Sequence, residues 1–278
     1  MKRRIINTGF LLFLTMVMMA QEAQDEARVN SFALNWGMGN IKRQDFTISP
    51  FTHKDWSPLN FQLVYERSKK LEQQASLKFG QYSPRIGEEY TYYSFYNGEE
   101  IADSHYFTMI DINYALGLSV LENRKWKLII GGKSKNQFYA STYNFGPSGP
   151  SPLYIAFGLN IWLNLKYDLN EKHHFKSNLS LPLFAHIYRD PYLAQDDEFF
   201  QNLISHKPLK ELAERINDGE MQSWGTSQSF DFDLSYDYVI NEKWNLGFTY
   251  RLSMDFNQSP TRFSQVENVI YINGTFKF

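Results

Sequence analysis

The stretch from Ser229 to Phe278 alternates between apolar and polar side chains with a period of two. Successive side chains of a β-strand point to opposite faces, so this period predicts three consecutive half-buried strands. The apolar face is large and aromatic, whereas the polar face carries formal charges such as Asp231 and Arg251. A sheet with lipid on one side and a polar interior on the other has this distribution. A soluble β-sandwich is the alternative that this stretch alone leaves open.

The N-terminus predicts export. Basic residues open the chain, an apolar run occupies positions 10–19, and Ala20 offers a small-residue cleavage point. We interpret residues 1–20 as a signal peptide, because the apolar run is shorter than the roughly 20 residues of a membrane-spanning anchor. Residues 21–28 are then a short periplasmic segment, and residues 29–278 form one domain.

Composition narrows the function classes for the 278-residue chain. A net charge of −2 provides no basic field for nucleic acid, so no nucleic-acid partner is predicted. The absence of cysteine excludes disulfide frameworks and thiol catalysis. No apolar stretch after the N-terminal run is long enough to span a membrane as a helix, so a membrane position requires a closed barrel.

Alternating segments recur along the whole domain and predict about ten strands. Four connections between them are short and charged, and the other five are long, the first of these passing through Pro50 and Trp56. This asymmetry predicts an all-β fold, a closed antiparallel up-and-down transmembrane β-barrel with short periplasmic turns and long external loops. The predicted strands lie near residues 29–40, 59–67, 74–84, 105–121, 126–139, 154–169 and 175–189, followed by the three strands of the C-terminal stretch.

The chain resembles the bacterial outer-membrane β-barrel family over residues 29–278, including the terminal aromatic Phe278 in Thr275-Phe276-Lys277-Phe278. The resemblance implies a place in the outer membrane of a Gram-negative-type bacterium, in contact with outer-membrane lipid. It also implies that the barrel-assembly machinery reads the C-terminal strand ending in Phe278.

Residues for catalysis are scarce. The six histidines show no zinc-ligand spacing, and we predict neither a metal nor a cofactor. A pair of adjacent aspartates and a couple of one aspartate with one histidine fall in predicted external segments. They resemble in kind the groups of omptin proteases, which are also ten-stranded, although no omptin motif is present. An omptin-like or lipid-modifying hydrolase with its site at the external mouth is therefore the alternative function. Its candidate residues are Asp103, His105, Asp196 and Asp197. The strand parity points both His105 and His186 inward, which argues against a lipid hydrolase.

The longest insertion, residues 190–225, contains two amphipathic patterns. One begins at Asp196 and the other at Pro208, which suits the first position of a helix. We predict an external helical hairpin. It either covers the barrel mouth or serves as a lid, a plug or a surface for a protein partner.

The inward-facing positions of the predicted strands carry six acidic and six basic side chains, so we expect the charges to pair. Barrels of eight strands are filled by side chains and open pores need about 16 strands, so ten strands with neutralised charge favour an occluded lumen. The predicted function is a non-enzymatic barrel of porin-like architecture, either an accessory or interaction subunit or a narrow channel. Strand pairing across the turn at residues 241–243 places Asp233 opposite Arg251, as the anchor of the lumen network. The predicted network comprises Asp231, Asp233, Asp237, Arg251, Asp255, Lys166 and Lys176.

Overall fold

The computed structural model describes residues 29–69, 71–84, 91–94, 97–101, 104–144, 151–190 and 208–278. The predicted signal peptide and the segment 21–28 lie outside these ranges, as do Asp103, Asp196 and Asp197.

Ten long antiparallel strands form a closed up-and-down barrel, as predicted. The last strand returns to pair with the first, where Asn30 and Phe278 exchange backbone hydrogen bonds of 3.0 and 2.8 Å. The barrel strands are β1 (Val29–Asp45), β2 (Ser49–Ser68), β3 (Leu71–Tyr82), β6 (Tyr106–Glu122), β7 (Trp126–Thr142), β8 (Leu153–Asp168), β9 (His173–Arg189), β11 (Ser227–Val239), β12 (Trp244–Asn257) and β13 (Phe263–Lys277).

Smaller elements lie at one end of the barrel. A hairpin of β4 (Thr91–Ser94) and β5 (Gly98–Ile101) stands apart from the main sheet. The short strand β10 (Glu220–Ser223) pairs with the last part of β9. Helix α1 (Pro208–Asn217) is the second half of the predicted helical hairpin, whereas the first half falls outside the described residues. No helix within the described ranges is long and apolar enough to cross a membrane.

The two faces of the wall follow the predicted parity. On β12, Phe248 is 55% exposed on the outer face, whereas Thr249 is 7% exposed and points inward. Aromatic pairs lie on the wall at the end of the barrel that carries the predicted short turns, with Trp244 and Phe276 rings 4.9 Å apart as one example. Aromatic side chains in this position are typical of a membrane–water boundary. We call this end of the barrel the turn end and the opposite end the loop end.

Three of the four short turns share one device. The side-chain Oδ1 of Asn241 accepts hydrogen bonds from the backbone N–H groups of Lys243 and Trp244, both at 2.9 Å. Asn123 and Asn170 make the equivalent two bonds in their own turns. A short polar side chain that closes a turn in this way fixes the register of the two strands that it joins.

The prediction of a long first loop is wrong, because Pro50 and Trp56 belong to β2. The strand continues past Pro58 through a bulge, in which Pro58 and Leu59 together oppose Met38. A proline inside a sheet is tolerated at a bulge since no ladder hydrogen bond is lost there. Strand β2 therefore runs on at the loop end beyond Asn60, the last residue that it pairs with β3.

The predicted inward direction of His186 is also wrong. Between Leu159 and Asn160 of β8 the register shifts, and Leu183 of β9 is the extra residue that opposes neither of them. One inserted residue reverses the faces of everything beyond it. His186 consequently points outward, while Arg189 points inward.

Candidate functional site

The lumen holds the charged side chains in three successive zones between the turn end and the loop end. The first is a polar vestibule of about 240 Å³. Its lining includes residues at the strand ends, such as Ser68, Asp168 and Lys277, so it reaches the turn end of the barrel. Lys133 and Arg251 lie at its inner limit.

Two of the predicted network residues form ion pairs in the vestibule zone. Lys176 is in contact with Glu66, and the Lys166 ammonium lies 3.1 Å from Glu72. Asp237 instead accepts a hydrogen bond from the Asn273 amide at 2.7 Å. These side chains come from six different strands, so the pairs cross the lumen as well as following the wall.

The second zone is a layer of buried charges. Within it, the Lys135 ammonium lies 3.0 Å from both Asp231 and Asp255, and donates to the Ser229 hydroxyl at 2.7 Å. A charge removed from water is stable only when it is paired and fully hydrogen-bonded, and Lys135 meets both conditions. The charge layer comprises the buried cations Lys78, Lys133, Lys135 and Arg251 and the buried carboxylates of Asp111, Asp231, Asp255 and Glu267.

A second set of bonds connects the charge layer across the lumen. Lys78 is in contact with Glu267 and lies 3.6 Å from Asp111. Tyr82 donates to Glu267 at 2.8 Å, and Tyr139 donates to Asp111 at 3.0 Å. Four cations and four carboxylates therefore balance one another in charge within one buried layer.

The predicted register of Asp233 and Arg251 is confirmed, because the two residues are directly opposed on β11 and β12. Their charged atoms are 3.9 Å apart, and Arg251 lies 3.7 Å from Asp111 and 3.9 Å from Asp231. These distances exceed those of hydrogen-bonded pairs. The role of Asp233–Arg251 as the anchor stays a prediction, and the shorter contacts belong to Lys135.

The third zone is an aromatic layer at the loop end. Tyr154 stacks between Tyr139 and Phe263, with ring centroids 5.4 and 5.2 Å away. Beyond it, the guanidinium of Arg43 lies over the Phe107 ring at 4.9 Å. These side chains come from β1, β6, β7, β8 and β13, so the layer spans the barrel from wall to wall.

Of the residues proposed for a hydrolase, His105 alone lies in the described part of the chain. It is buried, its ring packs 4.8 Å from that of His53, and its Nδ1 accepts the Asn144 backbone N–H at 2.8 Å. Burial of the ring lowers the pKa of His105. In the described ranges no group of three or more histidine, aspartate or glutamate side chains could hold a metal ion.

Sequence reasoning missed several members of the charge layer and its surroundings. Lys133 and Lys135 belong to the predicted strand 126–139, but Ser134 and Asn136 make the outer face of β7 polar and hide the alternation. Glu72 falls between the predicted strands 59–67 and 74–84, and Glu267 is not among the predicted network residues. In each case, extending the alternation of the same or the adjacent predicted strand by a few residues would have assigned the side chain to the inward face.

A closed antiparallel barrel of ten strands with an apolar outside and a charged inside defines a membrane β-barrel architecture. No protein-family model matches the chain, and no curated protein matches its sequence. Among solved structures, the outer membrane protease OmpT of Escherichia coli matches with a TM-score of 0.53 at 8% identity, over 92% of this chain and 99% of that one. Neisserial surface protein A matches with a TM-score of 0.36 at 9% identity, over 91% and 100% of the two chains. The toluene transporter TodX of Pseudomonas putida matches with a TM-score of 0.31 at 9% identity, over 91% and 90%.

The fold is therefore that of the bacterial outer-membrane β-barrels. At these identities the likeness concerns the fold alone, and it does not assign the activity of OmpT to this chain.

Proposed function

We propose that the protein resides in the outer membrane of a Gram-negative-type bacterium, with its lumen sealed, and acts as a non-enzymatic accessory or interaction subunit. The observation that carries the proposal is the charge layer around Lys135, in which every cation has a carboxylate within 4.0 Å. An ion crossing this layer has to separate buried ion pairs. Each separation leaves a buried charge without its partner, which costs several kcal/mol.

The same proposal orients the molecule. The turn end faces the periplasm and the loop end faces the exterior, since short turns are periplasmic in such barrels. The outer wall contacts outer-membrane lipid, and the strand ending in Phe278 is the segment read by the barrel-assembly machinery. A protein partner would meet the loop end, where the β4–β5 hairpin and β10 lie.

Conductance in planar bilayers tests the sealed lumen. The intact protein is expected to give no steady current, whereas Lys135→Ala combined with Asp255→Ala should allow leakage through the opened layer. Ser134→Ala, on the outer face of the same strand, is the matched control and should stay silent. Large, stable steps from the unaltered protein would contradict the proposal and favour a channel.

A further inference from the structure

Helix α1 lies against the outer wall of the barrel rather than across its mouth. His186 Nε2 is 2.6 Å from the Ile216 carbonyl oxygen, and Arg215 donates to the Tyr188 hydroxyl at 3.1 Å. His186 and Tyr188 point outward from β9, because they alternate with the lumen-lining Ile187 and Arg189. The helix is thus fixed on the side of the barrel that faces away from the lumen.

The charged side of α1 faces the wall. Arg215 is in contact with Asp190 at the end of β9, and also bonds Glu211 one turn earlier in the helix at 2.9 Å. Part of its apolar side faces outward, where Leu209 is 83% exposed and Leu212 is 37% exposed, whereas Ile216 is half-buried. A helix in water turns its apolar stripe towards the protein, so the amphipathicity of α1 is inverted.

The outer wall at which α1 is anchored is itself apolar, because Met221 is paired with His186. Met221 of β10 and Trp224 just after it are 65% and 62% exposed, and Phe184 of β9 lies beside them on the outer face. The Trp224 indole N–H donates to the Pro182 carbonyl oxygen at 2.7 Å, which holds the ring against the wall. An exposed apolar surface of this kind, continuous with a lipid-facing wall, has an apolar medium as its complement.

We propose that the apolar side of α1, formed by Leu209, Leu212 and Ala213, is immersed in the outer leaflet and contacts lipid acyl chains. The inference rests on the proposed membrane location. In this arrangement the helix lies at the level where acyl chains meet headgroups. Arg215 and its partners at the barrel rim hold the helix at that depth.

Spin labels test the proposal directly, because the chain has no cysteine of its own. Leu209→Cys and Leu212→Cys would be labelled in protein folded into phosphatidylcholine vesicles, and the label's accessibility to oxygen and to a water-soluble nickel chelate would be measured. Phe248→Cys is the lipid control and Lys125→Cys, in a turn, is the water control. Both helix labels should favour oxygen, as Phe248 does.

Two results would overturn the inference while leaving the membrane location intact. Preference for the nickel chelate at both helix positions would place the apolar side in water, and protection from both reagents would place it under protein, either residues 191–207 or a second copy. Failure of the Phe248 label to favour oxygen would instead refute the membrane location itself.

A second variant separates lipid contact from accidental exposure. Leu212→Asp should lift the helix and reduce the oxygen preference of a label at Leu209, because an acidic side chain is excluded from acyl chains. Asn217→Asp, at the exposed end of the same helix, is the matched control and should leave that label unchanged. An unchanged label in Leu212→Asp would also overturn the inference.

Discussion

Arg43 and Arg189 are both buried in the lumen, but their hydrogen bonds and ion pairs differ. Arg189 lies 2.6 Å from Asp45 and donates to the Thr261 and Ser259 carbonyl oxygens at 2.6 and 3.0 Å. Arg43 lies 4.0 Å from the same Asp45, and its Nε and Nη1 atoms make no hydrogen bond of normal length. Its surroundings are instead aromatic rings.

We predict that Arg43→Met leaves the free energy of unfolding unchanged or raises it, because an apolar side chain replaces a poorly paired buried charge. Arg189→Met should lower that free energy by about 3–5 kcal/mol, since it leaves Asp45 without its close partner. Urea unfolding in lipid vesicles measures both. Equal losses in the two variants would show that Arg43 is as well satisfied as Arg189.

The ion pairs of the charge layer should also differ. We predict that a double-mutant cycle of Lys135→Met and Asp255→Asn gives a larger coupling energy than one of Arg251→Gln and Asp233→Asn. The first pair is hydrogen-bonded at 3.0 Å, and the second is separated by 3.9 Å. The weaker coupling should stay under about 1 kcal/mol. A larger coupling for Arg251 and Asp233 would restore that pair as the anchor.

The sequence could predict which residues oppose each other but not which charges touch. Register follows from parity and from the length of the turn, so the opposition of Asp233 and Arg251 was accessible. Contacts across the lumen, such as Lys135 on β7 with Asp231 on β11, depend on the curvature of the closed barrel. No local pattern contains that information.

At the level of elements, asparagine side chains close three of the turns at the turn end. We predict that Asn241→Ala lowers the free energy of unfolding by about 1 kcal/mol, because two backbone N–H groups lose their acceptor. Asn241→Asp should cost less, since a carboxylate oxygen can accept both bonds. Glu242→Ala is the control in the same turn, and a loss as large as that of Asn241→Ala would mean that the cap is unimportant.

The loop end should respond to acid through His105. Burial lowers the pKa of His105 below its ordinary 6.5, so in the folded protein the ring binds protons less readily than in the unfolded chain. Stability at this rim is therefore present above pH 6.5 and is lost as the pH falls below that value. The rings of His53 and Tyr143, packed on His105, would be loosened together with it.

Hydrogen exchange of the Asn144 amide measures this response, since that N–H donates to the His105 ring. Protection, corrected for intrinsic exchange, should decrease on acidification in the unaltered protein and change little in His105→Gln. The Trp244 amide at the opposite end is the control. Equal behaviour of the two amides would remove His105 as the cause.

Bulges explain why some elements could not be predicted. Pro50 and Pro58 are ordinary loop signals, yet here they lie in an extended β2 because a bulge accommodates the second proline. Leu183 belongs to an unbroken apolar run, so nothing local marks it as the residue that reverses the parity of β9. The direction of His186, and with it the position of α1 on the outer wall, follows from that single insertion.

For the whole molecule, the two faces of the wall should respond oppositely to charge. We predict that Phe248→Lys impairs folding into bilayers by about 2–4 kcal/mol, whereas Thr249→Lys costs much less. Thr249 lines the polar vestibule, where an ammonium group has both space and solvation. Folding yields in vesicles of fixed composition compare the two, and equal effects would contradict the assigned inside and outside.

The barrel closes only when β1 pairs with β13, the first and last strands of the chain. The two strands that meet last are separated by almost the whole chain, so each incomplete assembly carries two unpaired edges of backbone donors and acceptors. The entropy cost of closing so long a loop means that contacts between residues far apart in sequence form late in folding. Until β13 reaches β1, an incomplete barrel therefore exposes both of these edges to pairing with other chains.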